Sequence, residues 1–369
     1  MIVQNLYRCD AMKKIKVGIL MGGKSIEREV SFNTGRTLCD HSDTDRYSPI
    51  PIFQTFDGRL FILPWRFIYR GKISDFESKL EAEAQEIKWD DLKALVDFVY
   101  IALHGRYGED GCVQGFLELL GIAYVGTKVL GSAFGMDKIK QKELLALSGV
   151  NVARGIVLTP SQLTYYQYAS TALLKLLQDA QLEFPLVIKP EKEGSSLGVS
   201  VVFEQDQLFP ALLKASCAAQ NFQQAVLVEE RLEGMEFTCI ILFDENENPI
   251  FMPPTEVLYE AGHFIHGYEQ KYMPGRSMKF TPARCDEKTT QAIQETCLHV
   301  AQLLDFKNIA RIDGFVKKDG MIVIIDPNTL AGMAPSSFIF NQAAEIGMNH
   351  KQLISYLFDI QAQVMQRGL

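Results

Sequence analysis

The segment that most constrains the fold is a short apolar run near the N-terminus that ends at a glycine pair. Residues Ile15–Leu20 are rich in β-forming side chains, and Gly22 and Gly23 follow closely. A helical pattern then extends over about residues 25–38. A strand, a glycine turn and a helix in this order are how open α/β sheets begin. The sequence therefore predicts an N-terminal open parallel α/β sheet.

The length of the chain requires more than one such unit, because 369 residues exceed what a single hydrophobic core usually covers. We predict an N-terminal extension over residues 1–12 and an N-terminal α/β domain over 13–126. Two further domains are expected over 127–229 and 230–369, where helices first alternate with strands and β segments then dominate. The predicted fold class is α/β combined with α+β.

Some stretches inside these domains carry weaker patterns. Residues 50–90 look irregular, apart from an acidic segment over Glu77–Glu86 that is predicted to be a solvated helix. A single helix is expected over Leu130–Leu147, leading into the second domain.

The composition excludes some partners. The net charge is −8, whereas a protein that mainly binds nucleic-acid phosphates usually carries a basic surplus. The seven cysteines are scattered without Cys-x-x-Cys spacing, which argues against a disulfide framework or a zinc site. No apolar run approaches the ~18 residues that cross a bilayer, and the N-terminus lacks a signal-peptide pattern. We therefore expect a cytoplasmic protein that binds neither nucleic acid nor a membrane.

Two β-type runs near the C-terminus carry oxygen ligands. Asp313 lies in the first run, over Asn308–Val316, and Asp326 and Asn328 lie in the second. Carboxylate and amide oxygens are the ligands that Mg²⁺ prefers. Arg311 shares a strand face with Asp313 by period-two alternation and can stabilise developing negative charge. The pattern predicts a magnesium site, and the alternative is an ordinary hairpin with acidic residues near its ends.

A loop of small residues, Glu193–Gly198, lies between two predicted strands. Its glycines let backbone N–H groups approach phosphate oxygens, and the hydroxyls of Ser195 and Ser196 add donors. Lys189 precedes the loop at the end of an apolar strand, where a buried lysine needs an anionic partner. We predict a phosphate-binding loop, although its spacing is not that of a Walker loop and a plain turn is the alternative.

Two further segments could contact a nucleotide. Lys138 stands early in a helix and is either a phosphate ligand or a solvated lysine. Glu229 closes a strand, and Glu236 follows beyond a glycine. The hinge between them could bind adenine through its backbone and ribose through a carboxylate, but a charged domain junction would show the same residues.

Three polar segments remain. Gly22–Ser31 contains Glu27, which could bind a substrate ammonium, or the segment could simply begin a surface helix capped by Ser25. His104–Gly111 follows a strand at the end where open sheets place ligands, although a turn would look the same. His263–Tyr272 is predicted to be a lid over the site. The six histidines show neither metal spacing nor a Ser/His/Asp arrangement.

The order of these motifs along the chain resembles the ATP-grasp superfamily and, within it, the D-alanine–D-alanine ligases. The resemblance covers the chain from about Lys13 to the C-terminal helix. The stretches that carry it are Gly22–Ser31, Ala102–Gly111, Glu193–Gly198, Glu236–Thr238 and Arg311–Asp313.

The resemblance implies a three-domain ATP-grasp architecture: an N-terminal substrate domain over 13–126, a central ATP-grasp subdomain over 127–229 and a C-terminal one over 230–369. ATP would lie between the last two. The first D-alanine carboxylate would attack the γ-phosphate to give an acyl phosphate, and the amine of the second D-alanine would displace phosphate. The product would serve peptidoglycan synthesis, and a homodimer is expected.

The resemblance also implies a role for each candidate residue. The residues expected around the two D-alanines are Glu27, Ser195 and Tyr272 for the first ammonium, Arg311 and the Gly332 N–H for the oxyanion, Ser337 and Phe338 for the second substrate, and His104 in the pocket wall. Those expected to bind ATP are Lys138, Lys189, Lys271 and Ser196 at the phosphates and Glu229 and Glu236 at the nucleoside. Those expected to hold two Mg²⁺ ions, or Mn²⁺ in their place, are Asp313, Asp326 and Asn328.

The chain departs from the family pattern in one region. Asp326 stands where the family has glutamate, Pro327 where it has alanine or valine, and Phe338 where it has a smaller aliphatic residue. The run Leu330–Ser337 also differs, so either a backbone adjustment or altered chemistry is expected here. Two alternatives therefore stay open: a ligase that joins other amino acids, and a protein that binds ATP or D-alanine without turnover.

Overall fold

The computed structural model describes residues 13–218, 223–259, 277–335 and 337–367. The predicted N-terminal extension (1–12), the predicted lid (263–272) and its residues Lys271 and Tyr272 lie outside these ranges. Within the described residues the strands form three sheets. None of the described helices is long and apolar enough to span a membrane.

The first sheet is the predicted N-terminal one. Its strands are β1 (Ile15–Gly22), β2 (Tyr47–Gln54), β3 (Leu60–Ile62), β4 (Gln85–Ile87), β5 (Phe98–Ile101) and β6 (Tyr124–Val125). Their order is β4-β3-β2-β1-β5-β6, and the four strands β2, β1, β5 and β6 are parallel. The helices of this part are α1 (Arg28–His41), α2 (Trp65–Ile68), α3 (Leu80–Glu83), α4 (Leu92–Leu95) and α5 (Cys112–Leu119).

The glycine turn after β1 is required by close backbone packing. Gly22 has φ +87°, and a Cβ there would lie 2.6 Å from the carbonyl oxygen of Gln54 on the neighbouring strand. Only glycine fits both conditions. The turn therefore leads the chain directly from β1 towards α1, as the sequence predicted.

The expectation of an irregular region over residues 50–90 was wrong. β2 pairs in parallel with β1 although it contains Pro49 and Pro51, which lack the N–H group that a ladder normally uses. The acidic segment 77–86 is not one helix either. It consists of a 3₁₀ turn (Glu77–Lys79), the short α3 and the start of β4.

The second sheet follows in the central part of the chain. Its strands are β7 (Gly155–Leu158), β8 (Leu186–Pro190), β9 (Ser200–Val202) and β10 (Val226–Glu230). They are antiparallel in the order β7-β10-β8-β9. The accompanying helices are α6 (Val129–Met136), α7 (Lys138–Leu147), α8 (Pro160–Tyr166), α9 (Ser170–Asp179) and α10 (Gln205–Ser216).

The single helix expected over 130–147 is broken at Asp137. This residue leaves the helical conformation (φ −88°, ψ 91°), and its side chain accepts a hydrogen bond from the backbone N–H of Lys140. Aspartate favours this N-cap position because its carboxylate satisfies an N–H that lacks a helical partner. As a result Lys138 becomes the first residue of α7.

The third sheet lies in the C-terminal part. Its strands are β11 (Met235–Phe243), β12 (Pro249–Phe251), β13 (Thr255–Tyr259), β14 (Ser277–Phe280), β15 (Ile309–Val316) and β16 (Ile322–Asn328). The order is β14-β13-β11-β15-β16, with β12 also paired to β11. The helices are α11 (Glu287–Leu303), α12 (Phe338–Glu345) and α13 (His350–Gln366).

The C-terminal helix returns to the N-terminal sheet. Phe358 of α13 is fully buried, and its ring lies 5.1 Å from that of Tyr47 and 6.0 Å from that of Phe98. The same core contains Ile240 and Leu242 of β11. One hydrophobic core therefore joins the first and last parts of the chain and fixes their relative position.

Candidate functional site

A cleft of about 930 Å³ opens between the second and third sheets. Seven of the predicted site residues line it: Lys138, Lys189, Ser196, Glu229, Glu236, Asp313 and Asp326. Apolar side chains form part of its walls: Ala153, Val187, Val199, Leu232, Phe315 and Ile325.

The predicted hairpin of β15 and β16 forms one wall of this cleft. Asp313 pairs directly with Asp326 across the hairpin, and Arg311 pairs with Asn328. A guanidinium nitrogen of Arg311 lies 3.3 Å from a carboxylate oxygen of Asp313. Thr238 on β11 donates a hydrogen bond of 2.9 Å to the other oxygen. The oxygen ligands and the cation predicted from the sequence are thus brought together.

A β-bulge lies next to Asp326. The register shifts between Asp313 and Gly314, which leaves Ile325 as an extra residue on β16. Regular alternation would place Ile325 and Asp326 on opposite faces, yet both line the cleft. The bulge lies at the position where the sequence led us to expect either a backbone adjustment or altered chemistry, and which of these applies stays a prediction.

Pro327 is accommodated because β16 is an edge strand of the third sheet. Its carbonyl oxygen accepts a hydrogen bond of 2.9 Å from the side chain of Gln141 on α7. The amide of Asn328 donates to the backbone carbonyl of Asp326 at 2.8 Å, which leaves its side-chain oxygen as an acceptor. Two hydrogen bonds therefore hold the end of β16: one from Gln141 of α7 to Pro327, and one within the strand from Asn328 to Asp326.

The donor set fits a hard divalent cation that also binds a nucleotide. It offers two carboxylates and one amide oxygen, the ligand types that Mg²⁺ selects, and phosphate oxygens could complete the coordination. Among the described residues no group of three or more His, Cys, Asp or Glu side chains is arranged to hold a metal without such help.

Lys138 and the loop that follows β8 form the floor of the cleft. The ammonium of Lys138 donates to the backbone carbonyl of Glu193 at 2.8 Å and lies 3.8 Å from Asp326. Ser195 and Ser196 both have positive φ values, of 46° and 57°. The loop is thus tightly turned, as a phosphate-binding loop requires.

A buried cluster of charged side chains forms part of the cleft wall and extends behind it. Glu229 is bound by two lysines: Lys142 of α7 holds one carboxylate oxygen, and Lys189 holds the other at 2.6 Å. Burial alone would raise the pKa of Glu229, but attraction to Lys189 and Lys142 holds it below its ordinary value. Glu229 is therefore a carboxylate, and it orients the phosphate-binding candidate Lys189.

The two lysines of this cluster differ. Burial lowers the pKa of Lys142, and Glu229 offsets only part of that effect. Burial acts on Lys189 in the same way, but attraction to Glu229, Asp326 and Glu236 outweighs it and raises its pKa. Lys189 therefore remains a cation on the side that faces the cleft.

A second group of candidates surrounds Glu27, which is 5% exposed. The hydroxyl of Ser195, in the loop between β8 and β9, donates to its carboxylate although the two residues lie 168 positions apart in the chain. Gly105 and Gly194 lie so close that a Cβ at either position would clash with this carboxylate. Ser25 is not the helix cap: α1 begins at Arg28, and the Ser25 hydroxyl accepts from the backbone N–H of Glu27.

His104 lies beside this group. Its Nε2 is 2.9 Å from the hydroxyl of Thr34, which also accepts a hydrogen bond from the backbone N–H of Met333. Its Nδ1 lies 3.7 Å from Glu109. The sequence-predicted His104 is therefore linked through Thr34 to the segment around Gly332.

The residues predicted for the second substrate lie at the start of α12. Gly332 is close enough to Ser337 that a Cβ there would lie 3.8 Å from its hydroxyl oxygen. Ser337 is the N-cap residue, but its side chain does not cap the helix. The Lys279 ammonium lies 4.5 Å from the ring centroid of Phe338, a cation–π contact from β14.

Several residues of this site were not predicted from the sequence: Glu109, Gln141, Lys142 and Thr238. Helical spacing could have indicated Lys142, which stands four residues after Lys138. Period-two spacing could have indicated Thr238, which follows Glu236 on β11. Glu109 contacts Gly105 and His104 inside the predicted segment His104–Gly111, so its position in that polar loop could have indicated it. Gln141 contacts Pro327 across 186 residues, which no local pattern shows.

Family models match both halves of the chain. One described as D-ala D-ala ligase N-terminus matches residues 16–127, and one described as D-ala D-ala ligase C-terminus matches residues 144–359. Curated relatives agree. The D-alanine–D-alanine ligase of Chlorobium chlorochromatii is 30% identical and aligns over 96% of this chain and 100% of its own. The D-alanine–D-alanine ligase of Oceanobacillus iheyensis is 32% identical and aligns over 96% of this chain and 97% of its own.

Solved structures are similar throughout their length. The VanG D-Ala:D-Ser ligase of Enterococcus faecalis superposes with a TM-score of 0.79 at 28% identity, covering 95% of this chain and 100% of that one. The D-alanine–D-alanine ligase of Bacillus anthracis, solved in complex with ATP, gives a TM-score of 0.69 at 27% identity, covering 97% and 100%.

Proposed function

The chain belongs to the D-alanine–D-alanine ligase family, and from this membership we propose how its residues carry out the ligation. The enzyme is an ATP-dependent carboxylate–amine ligase that joins two D-alanines for peptidoglycan precursors. The predicted family and the three-domain ATP-grasp fold are confirmed. The domain boundaries at 126 and 229 and the individual site residues stay predictions.

ATP binds in the cleft between the second and third sheets. Lys138 and Lys189 neutralise its phosphates, and the turned loop at Ser196 adds donors. The apolar walls, among them Leu232 and Ile325, enclose the adenine ring. Glu236 binds the ribose hydroxyls. Glu229 also contributes to nucleoside binding, and each of its two carboxylate oxygens is paired with a lysine.

Asp313, Asp326 and Asn328 hold two Mg²⁺ ions, for which Mn²⁺ can substitute. Ions held by these residues would supply positive charge that offsets the charge developing on the phosphates during phosphoryl transfer. The bulge at Ile325 turns the Asp326 carboxylate into the cleft opposite Asp313. This placement compensates for the shorter reach of aspartate at a position where the family has glutamate.

The first D-alanine lies beside Glu27. Its ammonium binds the buried carboxylate, which Ser195 orients and which Gly105 and Gly194 leave accessible to a small cation. His104 forms the wall of the same pocket. Tyr272, which lies outside the described residues, completes the group. The D-alanine carboxylate then attacks the γ-phosphate of ATP, giving ADP and an acyl phosphate.

The second D-alanine lies at the start of α12. Its carboxylate binds the uncommitted hydroxyl of Ser337, and Phe338 limits the space for its side chain. Its amine attacks the acyl carbon and inorganic phosphate leaves. Arg311 and the N–H of Gly332 stabilise the oxyanion of the tetrahedral intermediate. No nucleophilic side chain is needed, because positioning and charge stabilisation suffice for phosphoryl transfer.

The observation that carries this assignment is the meeting of two cationic lysines and two facing carboxylates in one cleft. The test is phosphate release with Mg²⁺-ATP and a panel of D- and L-amino acids. We expect release that depends on D-alanine and yields the dipeptide. ATP binding without release for any amino acid would contradict the ligase function. Release with another amino acid alone would instead change the assigned acceptor.

The enzyme is proposed to work in the cytoplasm, where ATP is supplied, and to form a homodimer. Three exposed apolar side chains, which we call the apolar patch, support the dimer: Phe116 and Leu119 on α5 and Leu130 on α6 are 41%, 86% and 60% exposed. The two helices contact each other. Exposed apolar side chains on neighbouring helices favour burial against a partner surface.

A further inference from the structure

Lys142 is a buried lysine that the reaction described above does not use. It lies on α7, one turn after Lys138, and its side chain is 18% exposed. Its only ion pair among the described residues is with Glu229, whose second oxygen holds Lys189 at 2.6 Å. The three side chains form a cluster with a net charge of +1.

The position of Lys142 separates it from the nucleotide. Lys189 and Glu229 both line the 930 Å³ cleft, whereas Lys142 does not. Lys142 lines a smaller cavity of about 260 Å³ behind Glu229, together with Gln141 and Leu145. The ion pair with Glu229 is therefore the contact that links Lys142 to the wall of the cleft.

The division of the carboxylate between two lysines has a physical consequence. Because Glu229 is shared, each lysine ammonium is bound by only one of its oxygens. Lys189 therefore keeps other N–H donors for a ligand in the cleft. Without Lys142, both oxygens of the buried Glu229 would depend on Lys189, because a buried anion needs full compensation. Lys189 would then be drawn away from the cleft.

We propose that Lys142 is a positioning residue of the ligase: it holds one oxygen of Glu229 and thereby keeps the Lys189 ammonium directed at the ATP phosphates. The inference rests on the proposed role of Lys189 in phosphate binding. It predicts that the importance of Lys142 depends entirely on the charge of Glu229.

The primary experiment measures the dissociation constant for Mg²⁺-ATP by calorimetry, using the full chain. We expect Lys142→Met to weaken ATP binding on the order of tenfold, the effect of losing one hydrogen bond to a charged group. The matched control is Lys140→Met, on the same helix, whose lysine is paired with Glu143 at the surface. That variant should bind ATP like the wild type.

The decisive comparison repeats the substitution in a Glu229→Gln background. In this background no carboxylate at position 229 attracts the Lys189 ammonium away from the cleft. Lys142→Met should therefore change the dissociation constant for Mg²⁺-ATP by less than about twofold. Lys142→Arg, which keeps the charge, should retain most of the binding in the wild-type background. Lys142→Gln is the second test variant should the methionine variant fail to fold.

Two results would overturn the inference: unchanged ATP binding in Lys142→Met, or a weakening of equal size in both backgrounds. The latter would indicate a direct field or a packing effect. The proposed ligase function fails separately. It would be refuted by wild-type protein that binds ATP but releases no phosphate with any amino acid, whatever the outcome of the binding comparison.

Discussion

Lys138 and Lys189, which we propose as phosphate ligands, show how single cations are stabilised in a partly buried site. Neither is left as an isolated cation: Lys138 donates to the Glu193 carbonyl, and Lys189 pairs with Glu229. A buried charge without such partners would cost several kcal/mol. The cleft therefore maintains positive charge before a nucleotide arrives, which is what phosphate binding needs.

Asp313 is the residue on which the metal assignment can be tested most directly. Asp313→Asn keeps the size of the side chain but removes the charge that faces Arg311 and the cation. We expect phosphate release with D-alanine to fall at least about 100-fold, while circular dichroism and the unfolding midpoint stay close to those of the wild type. Asp319→Asn, in the exposed turn before β16, is the control and should retain activity. Persistent activity in Asp313→Asn would show the metal assignment to be wrong.

Glu109 gives a pH-dependent prediction. Burial would raise its pKa, but His104 and the Gly105 N–H, which donates at 2.6 Å, hold it below its ordinary value of 4.5. Its contribution to stability is therefore present above pH 4.5 and is lost as the pH falls through the lower pKa of the folded state. We expect Glu109→Gln to be less stable by about 1–3 kcal/mol at pH 7.

Urea unfolding of both proteins between pH 7 and pH 3 measures this difference. The gap between wild type and Glu109→Gln should narrow steadily below pH 4.5. A gap that stays constant with pH would mean that the carboxylate is not held in its charged form by His104 and Gly105.

At the scale of elements, the site depends on how β16 is held at the edge of its sheet. The bulge at Ile325 and the position of Pro327 are both tolerated because β16 is the edge strand of the described sheet, bonded on its outer side by a single bridge between Ile324 and Val152. Helix α7 supports the other side through Gln141. The same helix carries Lys138, which lines the cleft, and Lys142, which pairs with Glu229, so one element contacts both β16 and the charged groups of the cleft.

Gln141 therefore has a testable structural role. It is 3% exposed and donates to the carbonyls of Pro327, Phe134 and Gly135. Gln141→Leu leaves these carbonyls without their donor, so we expect a loss of about 1–3 kcal/mol in the free energy of unfolding. Denaturant unfolding measures it. The neighbouring Lys140→Leu should change the same quantity by less than about 0.5 kcal/mol, and equal losses in both variants would argue against the role of Gln141.

At the scale of the whole molecule, the C-terminal helix packs on the N-terminal sheet, and this brings residues from both ends of the chain together. The hydroxyl of Thr34 is bonded to His104 and accepts a hydrogen bond from the backbone N–H of Met333, in the segment before α12. These hydrogen bonds connect the two sites that we propose for D-alanine. The cleft that we propose for ATP lies between the other two sheets.

The homodimer is tested at this scale. Leu119→Glu places a charge in the apolar patch, where burial against a second copy would be unfavourable. We expect light scattering after size exclusion to give a dimer mass for the wild type and a monomer mass for the variant. Leu147→Glu is the control, because Leu147 is equally exposed, at 87%, but lies at the end of α7. A dimer that survives Leu119→Glu would exclude this patch as the interface.

The order of elements and most candidate site residues could be predicted from the chain alone. β1 and β15 begin and end within two residues of the predicted runs Ile15–Leu20 and Asn308–Val316. β2 was missed because Pro49 and Pro51 argue against a strand, and only its neighbours β1 and β3 stabilise it. The break at Asp137 was missed because the apolar pattern continues across it.

By itself the sequence determined which side chains each element offers, such as Asp313 with Arg311 or Ser195 with Ser196, because local periodicity and spacing depend only on neighbours along the chain. Only the tertiary structure decided which of them meet. Glu229 joins Lys142 across 87 residues, and Ser195 joins Glu27 across 168. The bulge that turns Asp326 towards Asp313 is equally a product of strand pairing. Such contacts depend on how sheets and helices pack around shared cores, and no local pattern contains that information.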